Sequence, residues 1–579
     1  MSNNYESDNT KHDAIADEDE SVVILAASHK KGILRIIFSR FFIIALLLLL
    51  QIVVAGAALI FFARNMHFLY AIYAAFAIVM VLYLFNCSMD SSAKLTWMFI
   101  IAVLPVAGAL FLAYTNSSLG HRKLKEFTLR SVRETMDELP QDQAVIDEIK
   151  SKDPQIPMIH SYVNHCGCFP IYKDNKVTYY PIGEKMFEAM LEELEKAKEF
   201  IFMEYFIVDE GYMTGRLLDI LIRKAKEGVD VRFMYDGMCE ISTLPRNYCE
   251  LLEKNGIRAK HYAPLTPFVS THYNYRDHRK IMSIDGKVAF TGGINLADEY
   301  INHIVRFGHW KDVGIKVEGS AARSFTLMFL QMWNLRNENR DYSAAHEGGD
   351  PAAATATEPA AEAADAARPA GVNTEDTTGE NDGDNAEDPN GSAAGMSADG
   401  YIMPFCDNPL DSEKVAEGVY MSLLDDAVDY IYIMTPYMIL DDELKTSLRN
   451  AAMRGADVKL ILPGISDSKP AQALARTHYK NLMSAGVKIY EYTPGLVHAK
   501  VCVSDDTKAV VGTINFDYRS LYHHFECGAL LFDAPCIADI KKDFEDTLSR
   551  SEEMDLQKLR SHKASLLAGV LLKPIAPLM

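Results

Sequence analysis

His278-Arg279-Lys280-Ile281-Met282-Ser283-Ile284-Asp285 sets a histidine and a lysine two residues apart, with an aspartate five residues beyond the lysine. The arrangement recurs at His498, Lys500 and Asp505. Ile, Met and Val dominate both stretches and each ends in a turn, so both read as β-strands. On a strand, residues i and i+2 project to one face, so each histidine points with its lysine into one space. A phosphodiester resists attack because its negative oxygens repel a nucleophile. Cations that neutralise those oxygens and an imidazole, with an unperturbed pKa of about 6.5, answer both difficulties. A single histidine on a strand is more often structural; two in identical settings point to catalysis.

The surroundings repeat as well. Met186, Phe187, Met190, Leu191 and Leu194 recur at helical spacing, Phe200–Val208 reads as a buried strand, Leu217 to Ile222 marks a helix and Val229–Tyr235 a strand. The second half follows the same order: helix from Val415 to Ala427, strand Tyr430–Met434, helix Leu444–Arg454, strand Val458–Leu462. This is an internal repeat of αβ units, each half ending in its own His-Lys strand.

Between the halves, residues 341–400 hold 14 acids against Arg368 alone, and 343–400 carries no aromatic residue. Such a segment cannot form a core and reads as a disordered acidic linker. It accounts for most of the net charge of −21. That balance opposes a nucleic-acid-binding role. The nine cysteines are scattered and odd in number, which fits a reducing compartment. Cys166-Gly167-Cys168, near His160 and His165, matches no standard zinc spacing and reads as ordinary thiols.

The N-terminal third has a different character. Residues 1–32 are polar and acidic and read as a disordered tail. Three apolar runs follow, Phe41–Phe62, Phe68–Phe85 and Leu95–Tyr114, each near the roughly 20 residues that span a bilayer. Lys30, Lys31, Arg35 and Arg40 precede the first; Arg122, Lys123, Lys125, Arg130 and Arg133 follow the third. The positive-inside rule puts both flanks in the cytoplasm, which three full spans cannot satisfy. The expectation is therefore two or three spans, with one run re-entrant or peripheral if the rule holds at both flanks, and a cytoplasmic catalytic part. Leu566–Met579 is apolar and either touches the interface or caps the core.

The double His-x-Lys-x4-Asp motif, with Gly292-Gly293-Ile294-Asn295 and Gly512-Thr513-Ile514-Asn515 downstream, resembles the signature of the phospholipase D superfamily. The closest resemblance is to the bacterial cardiolipin synthases, over roughly residues 40–340 and 400–579, with the acidic linker as the departure. Trp97 through Pro105, Gly108 and Tyr114 resemble that family's membrane segment. Phe202-Met203-Glu204-Tyr205-Phe206, His309-Trp310-Lys311-Asp312 and Thr435-Pro436-Tyr437-Met438 resemble its catalytic halves. The resemblance implies an α/β fold of two phospholipase D-like halves, a mixed sheet flanked by helices in each, forming one pseudo-twofold catalytic unit behind N-terminal transmembrane helices. The expected division is 1–32 tail, 33–116 membrane region, 117–158 connection, 159–342 first half, 343–400 linker and 401–579 second half.

It also implies a multi-pass cell-membrane enzyme moving a phosphatidyl group from one phosphatidylglycerol to another, giving cardiolipin and glycerol. The intermediate is a phospho-histidine, and no cofactor, metal or nucleic acid is expected. His278 is expected as nucleophile and His498 as acid/base. Lys280, Lys500, Asn295 and Asn515 are expected to hold the phosphate oxygens. Asp285 and Asp505 are expected to support the catalytic residues, with local turn chemistry as the competing reading. Glu526, in His523-His524-Phe525-Glu526, matches a family acid that orients one histidine. Glu299 is its expected first-half counterpart, and His523 and His524 read as incidental. Competing readings are a hydrolase or another phosphatidyltransferase with the same intermediate, and an inactive membrane scaffold.

Overall fold

A computed structural model of the chain describes residues 48–57, 66–87, 89–116, 122–173, 175–263, 275–337, 339–346, 400–411 and 413–578. The acidic tail, and all of the linker except 343–346 and 400, lie outside the described residues.

Two mixed sheets carry the fold. The first runs, edge to edge, β2 (Lys176–Tyr180), β10 (Gly314–Glu318), β8 (Val288–Gly292), β7 (Lys280–Ile284), β3 (Phe200–Tyr205), β4 (Asp230–Asp236) and β5 (Arg258–Tyr262). The second repeats that order with β11 (Tyr401–Asp407), β18 (His524–Phe532), β17 (Lys508–Gly512), β16 (Val501–Ser504), β12 (Tyr430–Met434), β13 (Asp457–Pro463) and β14 (Lys488–Tyr492). At its edges it adds β1 (Tyr172–Lys173) and β19 (Ser551–Glu553). In each sheet the three strands at one end are parallel, because helices connect them. The motif strand and those beyond it are antiparallel, because tight turns connect β7 to β8 and β16 to β17. The central strands are buried on both faces, which explains their unbroken apolar runs.

The sheets share one core. Ile281, Ala289, Val313, Ile315 and Val317 of the first pack in one cluster with Val501, Val503, Val510 and Leu530 of the second. Burying side chains of this size stabilises by about 1.5–3 kcal/mol each, so neither half is independent of the other. The chain also crosses between them: β1, at the start of the first half, pairs with β11 of the second.

At the N-terminus the structure departs from the expected spans. Leu95–Tyr114 is not one helix but two, Ser91–Val103 and Pro105–Asn116. Proline lacks the N–H that would continue the helix, and its ring disfavours helical geometry at Leu104, which sits at ψ 72°. Among the described residues no helix is long and apolar enough to cross a membrane. Met66–Asn86 has 21 residues, but its side chains are described without a break only over 71–86.

Candidate active site

Two short parallel ladders build the site, and each joins one half to the other. β6 (Arg276–Asp277) lies beside the start of β18, with Arg276 opposite His524 and Asp277 opposite Phe525. The His278 N–H continues the ladder by donating to the Phe525 carbonyl at 2.9 Å. The next residue along β18 is Glu526, so His278 Nδ1 and Glu526 Oε2 meet at 2.9 Å. In the second ladder, β9 (His309–Lys311) lies beside β15 (Gly495–Val497). The His498 N–H donates to the Lys311 carbonyl at 2.7 Å, and the following Asp312 places Oδ2 2.6 Å from His498 Nδ1. Each imidazole is thus oriented by a carboxylate from the opposite half, which fixes Nδ1 as the protonated nitrogen and leaves Nε2 for chemistry.

The register explains why the acids stand where they do. Gly314 faces Gly292 and Gly528 faces Gly512 across the ladders, and each acid lies two residues before the first glycine of its pair. A side chain at Gly292 would meet the Val313 carbonyl at 2.4 Å, and one at Gly512 the Cys527 carbonyl at 2.4 Å. The Gly-rich step of each motif therefore exists for space.

Both histidines sit just before their strands rather than within them, and each is only 6% exposed. Burial disfavours the imidazolium of both. His278 is driven well below the ordinary range, first by burial and then by the charges of Lys280, Lys500 and His498. The last two belong to the other half, so one electrostatic site contains both motifs. His498 is lowered by burial and Lys500, while Asp312 works in the opposite direction. Burial pushes Lys280 down to about 8 and Lys500 to about 7. Lys500 Nζ lies 3.1 Å from His498 Nε2.

The walls are aromatic. Phe206 meets the His278 ring edge-on at 4.9 Å between centroids; Tyr300 and Trp310 flank His498 at 5.3 and 5.4 Å. Asn295 accepts from the Ile207 N–H and donates to the Tyr300 hydroxyl at 2.8 Å, so it also positions that wall. Asn515 is 4% exposed, and its carbonyl oxygen has no hydrogen-bond partner among the described residues.

Four expectations need correction. Asp285 and Asp505 lie at the far ends of the motif strands, beyond five- and four-residue strands that carry them away from the histidines. Asp285 accepts from the N–H groups of Lys198, Glu199 and Phe200, and Asp505 from those of Val428, Asp429 and Tyr430. Both sit in the left-handed region, at φ 52° and 50°. They clamp the starts of the neighbouring strands, the local turn role that competed with support of the catalytic residues. Glu299 pairs with Arg306 at 2.9 Å; the acid on His498 is Asp312. Asp312 closes the stretch His309-Trp310-Lys311-Asp312, whose role no local pattern reveals, and the Gly292–Gly314 register is the signal that finds it.

His524 is not incidental. Its ring lies 5.2 Å from that of His278, and its Nδ1 stands 3.5 Å from Glu526 Oε1. Burial pushes it down to about 3, so it is neutral. Alternation along β18 accounts for this, since His524 and Glu526 share a face. The ligand atoms of His278, His524 and Glu526 lie within 4.8 Å of one another, a spacing that could hold a metal ion.

The family model for the phospholipase D-like domain of cardiolipin synthase matches residues 190–333 and 420–548, the segments that carry both motifs. A Streptococcus mutans (serotype c) protein described as uncharacterized is 47% identical, over 86% of this chain and 99% of its own length. Cardiolipin synthase 2 of Bacillus anthracis is 30% identical over 85% of this chain and 87% of its own. Among solved structures, the phosphatidylserine synthase of Haemophilus influenzae aligns over 73% of this chain and 100% of its own, at 15% identity and a TM-score of 0.49. With both motifs present, and with 85% of the chain matched to 87% of the Bacillus anthracis synthase at 30% identity, the chain belongs to the cardiolipin synthase family of phospholipase D-like phosphatidyltransferases.

Proposed function

We propose that the protein joins two phosphatidylglycerol molecules at a membrane surface, giving cardiolipin and glycerol through a phospho-histidine on His278. The observation that carries this reading is the pair of cross-half ladders, which set two carboxylate-oriented imidazoles and two lysines in one buried electrostatic site. His278 is the nucleophile because three positive neighbours and burial hold it neutral, with its lone pair available. His498 is the acid because Asp312 opposes the lowering that burial and Lys500 impose on it, whereas His278 is driven well below the ordinary range.

In the first step His278 Nε2 attacks phosphorus, the bond from phosphorus to the glycerol oxygen breaks, and His498 donates its proton to that oxygen. In the second, neutral His498 takes the proton from the free hydroxyl of another phosphatidylglycerol. The new alkoxide bonds to phosphorus and displaces His278. Lys280 and Lys500 receive the charge on the phosphate oxygens, with the Asn295 and Asn515 amides beside them. The low exposure of both histidines favours an alcohol acceptor over water. A lipid substrate brings the protein to the cell membrane, and its unpaired cysteines suit catalytic halves on the cytoplasmic side.

Purified protein supplied with radiolabelled phosphatidylglycerol should release glycerol and cardiolipin in equal amounts. Phosphatidic acid as the sole lipid product would replace this reading with hydrolysis.

A further inference from the structure

The two helices that replace the third apolar run turn back on each other. A side chain on Gly108 would meet the Ile100 backbone at 3.2 Å, a contact that two residues eight apart make only if the chain reverses between them. Trp97 and Phe111, one from each arm, lie 5.4 Å apart between ring centroids and close a small core with Leu84, Ile101 and Leu112. The arms have 13 and 12 residues, about 20 Å each at 1.5 Å per residue, against a hydrocarbon layer of about 30 Å. Such a hairpin enters a bilayer and returns to the side it came from.

Its outer faces are apolar. Leu95, Phe99 and Val103 are exposed at intervals of four on one arm, and Val106, Leu110 and Tyr114 on the other. The last segment of the chain adds to this surface. Gly569 lets the helix Lys563–Leu572 lie directly on the helix Lys469–Met483, since a side chain there would meet the Ala473 carbonyl at 2.2 Å. The opposite face exposes Leu567, Val570 and Leu571. The turn that follows, Lys573–Leu578, packs against the hairpin arm Ser91–Val103, and Tyr518 hydrogen-bonds Ser92. The apolar hairpin, the C-terminal helix and the second catalytic half are therefore tied together. The exposed cations Arg122, Lys123, Lys125, Arg130 and Arg133 begin six residues after the hairpin ends and suit anionic headgroups.

We propose that Ser91–Asn116 is a re-entrant hairpin which, with the C-terminal helix, seats in one leaflet of a phospholipid bilayer and holds the site at headgroup depth. The occupant rests on the lipid-joining reading above; the reversal of the chain does not.

The test uses the full chain in right-side-out and inverted membrane vesicles, with the unaltered protein as background for its nine native cysteines. A membrane-impermeant maleimide should label Ser91→Cys and Thr115→Cys from the same side; labelling from opposite sides makes the run a span and overturns the hairpin. Nitroxides on Val106→Cys and Val570→Cys should show collision rates with oxygen about tenfold above those with a polar nickel chelate, because both sit in hydrocarbon. Preference for the nickel chelate at either position removes that element from the leaflet. None of these readouts needs activity. A protein that passes them without making cardiolipin keeps the topology and loses the catalytic reading.

Discussion

Behind His278 and behind His498 the chain solves one structural problem in two ways. In the first half the residue between the histidine and the lysine is Arg279, 2% exposed, paired with Glu204 and lying 3.4 Å from Asp277. In the second half the equivalent positions are Ala499, Met434 and Val497, all buried. The equivalence follows from register, since Glu204 faces Ile281 and Met434 faces Val501, each one residue past a motif lysine. Buried ions thus hold one catalytic strand and apolar packing the other. An ion trio is no more stable than a well-packed apolar one, and it is vulnerable to loss of any single member. What the halves share without compromise is the outward geometry: imidazole, lysine and a carboxylate lent by the partner half.

The histidines give the largest contrast. His278→Ala and His498→Ala should each lower cardiolipin formation about 10⁴-fold or more. Only the His498 variant should still trap acid-labile labelled phosphate on the protein. A trapped label in the His278 variant would exchange the two roles.

The borrowed carboxylates come next. Glu526→Gln and Asp312→Asn should each cost about 10²–10⁴ in turnover by releasing the imidazole from its tautomer. The Asp312 change should act on the step that protonates glycerol, and a leaving group more acidic than glycerol should hide it. Equal losses with both leaving groups would erase the distinction between the niches.

Arg279→Ala should destabilise the fold by about 3–5 kcal/mol, because it strands Glu204 and Asp277 without a counter-charge. The triple variant Glu204→Met, Asp277→Val, Arg279→Ala copies the second half and should recover most of that loss in detergent-solubilised thermal unfolding. A triple variant as unstable as the single one would show that the ions do more than balance one another.

The lysines separate the halves by pH. Lys500 loses its proton as pH rises through about 7 and Lys280 through about 8. Since kcat/KM reports the free enzyme, it should fall above pH 7. Lys500→Arg, whose guanidinium does not titrate, should move the fall toward 8. The smallest effects belong to the corrected residues. Asp285→Ala and Asp505→Ala should each lower stability by about 1–3 kcal/mol and leave turnover within a few fold, and Glu299→Gln should do neither.

Much of this was legible beforehand because it is local. The αβ order of both halves follows from apolar periodicity; Tyr430–Met434 falls where its residues placed it, and the strand expected over Phe200–Val208 ends at Tyr205. The motif histidines and lysines are recognisable because chemistry demands those side chains at a two-residue spacing. The mistaken roles share a different origin. Asp285 and Asp505 sit in the motif, yet their partners are backbone N–H groups about 80 residues upstream. Glu299 is near Asn295 along the chain, whereas the acid on His498 arrives through a ladder between Trp310 and Leu496. His524 read as incidental because nothing in its neighbours along the chain reveals that β18 turns it toward His278.

By itself, the sequence determined that two copies of one phosphate-handling strand exist, which side chains they carry and how long each helix or strand can run. Those properties depend on residues a few positions apart, where periodicity and backbone preference act. Tertiary structure alone decided which carboxylate serves which imidazole, that Pro105 folds a membrane-length run into two short arms, and that Arg279, Glu204 and Asp277 meet behind His278 where Ala499, Met434 and Val497 stand behind His498. Pairing across the halves is set by strand register between segments some 190 to 250 residues apart, and no local pattern encodes a register between strands that meet only when the sheets close.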